Sequence, residues 1–150
     1  MGYNFGVGRE APLFTLPAHD GSQVTLKQYR GDSLAALVFV DAAGCASRVA
    51  DFNPSADQLW GFRCQLVGVV HAPLDALESA AAEAAPAFPL VADEDGAVAR
   101  AYSAWDAARD ATRDYVALVD RSGKIVWTAD GTASPVKAAD LLAGLKTVAR

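Results

Sequence analysis

The sequence predicts an α/β fold, a mixed central sheet flanked by helices and preceded by a β-hairpin. Three observations carry that expectation. Two continuous apolar runs, LAALVFV at 34–40 and CQLVGVV at 64–70, have the composition of strands buried on both faces. Around them lie segments whose apolar residues recur at helical spacing. Near the C-terminus DYVALVD and KIVWTAD are joined by Arg121-Ser122-Gly123, the turn of an antiparallel hairpin.

Taken in order, LFTLP at 13–17 and QVTL at 23–26 flank the turn AHDG, whose Asp20-Gly21 pair marks the first hairpin. The run at 34–40 is the first buried strand. After Cys45, the residues Val49, Phe52, Ala56, Leu59 and Trp60 fall on a helical stripe, with a kink expected at Pro54. The second buried strand at 64–70 is followed by DALESAAAEAA at 75–85, a helix stopped by Pro86. FPLVAD forms a short strand, and DGAVARAY at 95–102 begins another helix. Beyond the second hairpin, Ser134 as N-cap and Pro135 in the first turn start a last helix carrying Val136, Leu141, Leu142, Leu145 and Val148. Strand-helix-strand connections make parallel neighbours, and the closing hairpin adds an antiparallel part. A thioredoxin-like fold has this order of elements.

The chain of 150 residues is expected to form one domain over 1–150, large enough to bury a core unaided. With 52% hydrophobic and 21% charged residues it has the balance of a soluble globular protein. A net charge of -5 without a basic cluster argues against nucleic acid and anionic membrane as partners. No apolar run has the length of a membrane span, and the opening MGYNFGVGRE lacks the features of a secretory leader. Two cysteines in such a chain do not make a disulfide framework, so a cytoplasmic protein with reduced thiols is expected. His19 and His71 are isolated, and no metal site is expected.

Cys45 stands where the first buried strand hands over to a helix. Two readings compete there. At a helix start, free N–H groups and the dipole favour a thiolate, and Arg48 follows one turn later within reach of the sulfur. Gly44 lets the backbone come close enough for the N–H groups of Cys45 and Ala46 to meet a substrate oxygen. Against this, Cys45 shares the stripe of Val49, Phe52 and Leu59, where a cysteine is a small, inert hydrophobe. Cys64, nineteen positions on, sits at the far end of the intervening helix, about 20 Å away at ~1.5 Å per residue. That is too far for a disulfide, and Cys64 reads as structural. His71 at a strand end reads as a solvated loop residue, His19 as a turn residue, Asp93 and Asp95 as caps, and Trp60, Trp105 and Trp127 as packing.

The segments GREAPLFTLPAHDGSQVTLKQYRGD, CQLVGVV, FPLVADEDGAVARAYSAW and RDYVALVDRSGKIVW resemble, in order, those of the peroxiredoxins, the AhpC/TSA family of thiol peroxidases. The resemblance implies a peroxiredoxin-type thioredoxin-like fold and a peroxidase that reduces hydrogen peroxide or organic hydroperoxides through a Cys45 thiolate. It matches Arg113 to an arginine that many members hold beside the reactive sulfur, making Cys45, Arg113 and Arg48 the candidate catalytic residues. The active-site segment departs from the family's Pro-x-x-x-Thr-x-x-Cys, with Val38 and Ala42 at the proline and threonine positions. Arginine stands at position 48, where many members have glutamate, or a second cysteine in relatives with Cys-Pro-x-Cys. No metal or organic cofactor is implied. The expected partners are a hydroperoxide, an external thiol or protein reductant, and a second copy of the chain meeting Tyr102 and Trp105. The alternative is a redox-degenerate thioredoxin-fold binding protein. A thioredoxin-type reductase is weaker, because it needs Cys-x-x-Cys and a cis-proline where Arg113-Asp114 stand.

Overall fold

The computed structural model describes residues 7–131 and 136–148, so the expected Ser134-Pro135 cap lies outside the described residues. Strands β1 (Thr15–Pro17) and β2 (Gln23–Thr25) pair antiparallel as the N-terminal hairpin. Leu26 leaves the strand expected for it and opens a single 3-10 turn, because Gln28 Oε1 accepts the N–H of Thr25 at 3.0 Å and turns the chain there. Strand β3 (Leu34–Asp41) follows, then helix α1 (Cys45–Phe52). Pro54 does more than kink the expected helix. It sits in a 3-10 turn over Asn53–Ser55 that separates α1 from the short helix α2 (Ala56–Trp60).

Strand β4 (Cys64–His71) and helix α3 (Leu74–Ala84) come next, and α3 ends where Ala85 turns left-handed at φ 50° ahead of Pro86. Strand β5 (Leu90–Ala92) leads into helix α4 (Ala97–Ala101), whose N-terminal amides at Val98 and Ala99 donate to the buried Asp93 carboxylate. Two very short strands, β6 (Trp105–Asp106) and β7 (Ala111–Thr112), form a small hairpin that two-residue segments give no periodicity to announce. Strands β8 (Tyr115–Val119) and β9 (Ile125–Asp130) and helix α5 (Ala138–Val148) complete the chain.

The central sheet has the order β5-β4-β3-β8-β9, with β3, β4 and β5 parallel and β8 and β9 antiparallel to their neighbours. This is the thioredoxin-like arrangement that the element order predicts. Alternation along β3 sends Leu34, Ala36, Val38 and Val40 to one apolar layer and Ala35, Leu37 and Phe39 to the other. The first layer also takes Val49 and Phe52 of α1, Leu77 of α3 and Leu141 and Leu145 of α5. The second takes the N-terminal segment and α4. Each large side chain buried this way contributes about 1.5–3 kcal/mol, so both faces resist slippage of the register.

Tyr102 is correspondingly interior at 5% exposure, its hydroxyl donating to the Pro12 carbonyl at 2.7 Å. It therefore presents no dimer face, contrary to expectation. Trp105 is half-buried, with the Arg100 guanidinium 4.1 Å from its ring centroid.

Helix α5 approaches β9 closely at Gly144, where a Cβ would collide with the Trp127 indole ring. Gly144→Ala is expected to lower stability by about 1–3 kcal/mol through overpacking. In urea unfolding the midpoint should fall with an unchanged slope. An unchanged midpoint would show that the helix shifts freely over Trp127.

Candidate active site

Strand β3 ends at Asp41, and the chain turns through Ala42 and Ala43 into α1. The turn is tied by the Gly44 N–H, which donates to Asp41 Oδ1 at 2.8 Å. A Cβ at Gly44 would lie 3.0 Å from Val40 and 3.3 Å from that carboxylate oxygen, so the tight handover favours glycine. The N–H of Cys45 points back to the Ala42 carbonyl at 3.4 Å and is not held out for a ligand.

Cys45 is 1% exposed and belongs to the apolar layer beneath the sheet. Burial pushes its thiol up from the ordinary value, with no cation offsetting the effect. The two guanidinium groups expected beside the sulfur are engaged elsewhere. Arg48 turns its Nε to Asp114 Oδ1 at 3.5 Å and lays its guanidinium 5.2 Å from the Phe52 ring centroid. Arg113 donates to Asp130 Oδ2 at 2.9 Å and to the Trp105 carbonyl at 3.1 Å. Both move for the same reason: a buried cation needs acceptors, and carboxylates and carbonyls offer them where a neutral thiol does not.

Arg48 itself is only 9% exposed. Its Nε and Nη2, and the Oδ1 of Asp114, have no hydrogen-bond partner among the described residues. Burial raises the Asp114 carboxyl above the ordinary carboxylate range, against the opposing pull of Arg48 and of a hydrogen bond from the Val136 N–H.

Beside this pair opens a pocket of about 240 Å³. Gly44, Ser47 and Arg48 line it from the first turn of α1, Val40 and Asp41 from the end of β3. Arg109, Thr112 and Asp114 close it from the β6–β7 hairpin and the approach to β8. Thr112 is buried, and its hydroxyl has no partner among the described residues. Arg109 reaches across to Asp41 Oδ2 at 3.3 Å, an exposed pair of little energetic weight. Thr112, Asp114, Asp41 and Arg109 were not singled out from sequence. The only signal they offered was polar residues clustered before a buried strand, and that is common in loops.

Cys64 is remote from this pocket. It pairs with Leu34 at the far end of β3 from Asp41, roughly 23 Å away at ~3.3 Å per residue. Burial raises its thiol to about 12, and both cysteines are free. His71 packs edge-on to Trp105 with centroids 5.0 Å apart, and His19 Nδ1 accepts the Leu90 N–H at 3.1 Å, so neither is a solvated bystander. Among the described residues there is no cluster of three or more metal-ligating side chains, and no helix is long and apolar enough to cross a membrane.

Fold and site together define a thioredoxin-like protein with one cysteine at the strand-to-helix junction. The AhpC/TSA profile matches residues 7–128, and the chain belongs to the AhpC/TSA family. Rv2521 of Mycobacterium tuberculosis, which carries a peroxiredoxin name, is 30% identical over 100 residues, covering 65% of this chain. The chain spans 64% of the length of that relative. Peroxiredoxin Bcp of Escherichia coli K12 is 26% identical over 126 residues, covering 79% of this chain and 81% of its own. Among solved structures, AhpC of Enterococcus faecalis superposes with a TM-score of 0.86 at 18% identity, over 97% of this chain and 93% of that one. Peroxidoxin BcpB of M. tuberculosis gives 0.81 at 21%, over 96% of each chain. Peroxiredoxin Q of Xanthomonas campestris gives 0.79 at 25%, over 91% and 92%.

The raised thiol has a direct readout. Alkylation of Cys45 by iodoacetamide, followed by peptide mass spectrometry, should accelerate with pH and reach half its limiting rate above the ~8.5 of free cysteine. Above that unperturbed value the folded state also loses stability as pH rises, since unfolding releases a thiol that ionises more easily. A midpoint below ~8.5 would show a cation at the sulfur after all.

Proposed function

We propose that the chain is a thiol-dependent peroxidase of the one-cysteine type, reducing hydrogen peroxide or an organic hydroperoxide at Cys45. Membership of the AhpC/TSA family supports the class. The observation that carries the reading is the pocket against the Cys45 turn, lined by Arg48 and Thr112, whose buried Nε, Nη2 and hydroxyl have no hydrogen-bond partner among the described residues. Gly44 before Cys45, and Ser47 and Arg48 after it, line that pocket, so the reading requires the first turn of α1 to shift and bring the buried sulfur to it.

The reaction needs the sulfur to attack one peroxide oxygen while the other departs with negative charge. In this reading Arg48 Nη2 and the Thr112 hydroxyl, buried groups of two residues that line the pocket, meet that charge. Thr112 thereby supplies, from β7, the hydroxyl that Ala42 and Ala43 lack. The product is a Cys45 sulfenic acid. Cys64 at the other end of β3 does not resolve it, so the reductant is an external thiol or protein, as a reducing cytoplasm provides. Membership of the AhpC/TSA family, with curated relatives that carry peroxiredoxin names, favours this over a redox-inactive binding role.

Reduced protein mixed with one equivalent of hydrogen peroxide in the presence of a sulfenate trap tests the reading by intact mass. Trapping at Cys45 within seconds is expected, with Cys64 unmodified and no trapping in Cys45→Ser. Oxidation of Cys45 no faster than that of free cysteine would refute the peroxidase.

A further inference from the structure

One carboxylate joins the turn before Cys45 to the facing side of the pocket. Asp41 Oδ1 accepts the Gly44 N–H at 2.8 Å, and Asp41 Oδ2 accepts from Arg109 Nη2 at 3.3 Å. Arg109 comes from the loop of the β6–β7 hairpin, where Asp106 Oδ1 accepts the N–H groups of Ala108 and Arg109 at 3.1 and 3.4 Å. The guanidinium thus stands on a braced loop, with Asp106 Oδ2 4.0 Å from its Nη1. The backbone bonds of the turn are longer than the bond to the carboxylate. Gly44 N–H meets the Asp41 carbonyl at 3.2 Å, and Cys45 N–H meets the Ala42 carbonyl at 3.4 Å. The shortest tie in the turn therefore falls on the residue next to Cys45, and it comes from a side chain that Arg109 holds by its other oxygen.

In the fold where this chain of contacts is complete, Cys45 is 1% exposed. A reagent reaches the sulfur only when the first turn of α1 moves. Resting on the peroxidase reading, we infer that Asp41 and Arg109 are positioning residues that form an ionic clasp on Cys45. Arg109 fixes the Asp41 carboxylate, the carboxylate holds the Gly44 N–H, and the sulfur stays in the apolar layer until the clasp opens. As stability the pair counts for little, because both partners meet solvent. It acts on access instead, since free energy removed from the closed form alone raises the population of the open one. The exposure of the pair also makes it sensitive to salt, which screens the buried Arg48–Asp114 pair much less.

Alkylation of Cys45 by iodoacetamide in the full chain tests the clasp, read by peptide mass spectrometry with Cys64 as the internal reference. The reagent is uncharged, so salt acts on the protein rather than on the encounter. Arg109→Gln and Asp41→Asn are each expected to speed alkylation of Cys45 about two- to fivefold and to leave Cys64 unchanged, with Arg109→Lys close to wild type. The double variant should be no faster than the faster single one. Raising sodium chloride from about 0.02 M to about 0.5 M should speed the wild type by a similar factor and the two charge-removing variants hardly at all. Direct action of charge on the sulfur gives another pattern: loss of Asp41 would favour the thiolate, and loss of Arg109 would disfavour it. Opposite signs of that kind, no change in either variant, or equal acceleration at Cys64, as from a loosened fold, would overturn the clasp. Hydrogen peroxide separates the two readings. Single-turnover oxidation of Cys45 should follow the alkylation order across the variants, and fast oxidation without that order would overturn the role of the clasp in the reaction. Wild-type oxidation no faster than that of free cysteine, beside the expected alkylation pattern, would refute the peroxidase and leave the clasp standing.

Discussion

Arg48 occupies an inward position of a helix whose neighbouring inward residues are Val49 and Phe52, and an uncompensated cation there would cost several kcal/mol. Much of the site follows from how that cost is met. Phe52 offers its ring face, and the chain before β8 is placed so that Asp114 comes under the guanidinium. The antiparallel pairing of β8 with β3, in the register Phe39 to Tyr115, puts Asp114 beside the end of β3 just where α1 begins. The same pairing brings Thr112 and Arg109 over the turn, and the pocket is the space that these groups leave between them. A charge buried on one helix thus fixes where a loop sixty residues away must stop.

Burial also sets the state of the sulfur. At 1% exposure, burial pushes the Cys45 thiol up from its ordinary value. Cys64, deeper in electrostatic terms at about 12, differs from it in degree and above all in surroundings. Gly44, Ser47 and Arg48 around Cys45 line a polar pocket, while Cys64 starts a central strand with Leu34 as its neighbour. Exposure of the sulfur alone does not separate the two cysteines; the polar pocket beside the Cys45 turn does.

Much of the fold was legible because its cause is local. The runs at 34–40 and 64–70 are buried on both faces and cannot be anything but central strands, and Asp20-Gly21 and Arg121-Ser122-Gly123 mark their hairpins without help from distant residues. The placement of Cys45 on the buried stripe of α1 was legible for the same reason. The partners of Arg48 and Arg113 were not. A long side chain chooses among acceptors that the tertiary fold assembles, and Asp114, Asp130 and the Trp105 carbonyl became candidates only when β8 and β9 met the sheet. The β6–β7 hairpin that supplies Thr112 is two residues to a strand, below the length at which alternation exists.

The geometry of the ion pairs bears on what the buried one is for. Arg63 and Asp32, both more than half exposed, close to 2.9 Å, and Arg113 with Asp130, both partly exposed, does the same. Arg48 and Asp114, the most buried of these pairs, stand at 3.5 Å with their facing atoms unpartnered. Stability alone would choose the reverse, since a missing hydrogen bond is cheap in water and costs about 1–3 kcal/mol per group inside. An exposed pair can remain loose without penalty. A buried pair at this distance keeps that penalty, set against the ion-pair attraction and the contact of the Arg48 guanidinium with the Phe52 ring.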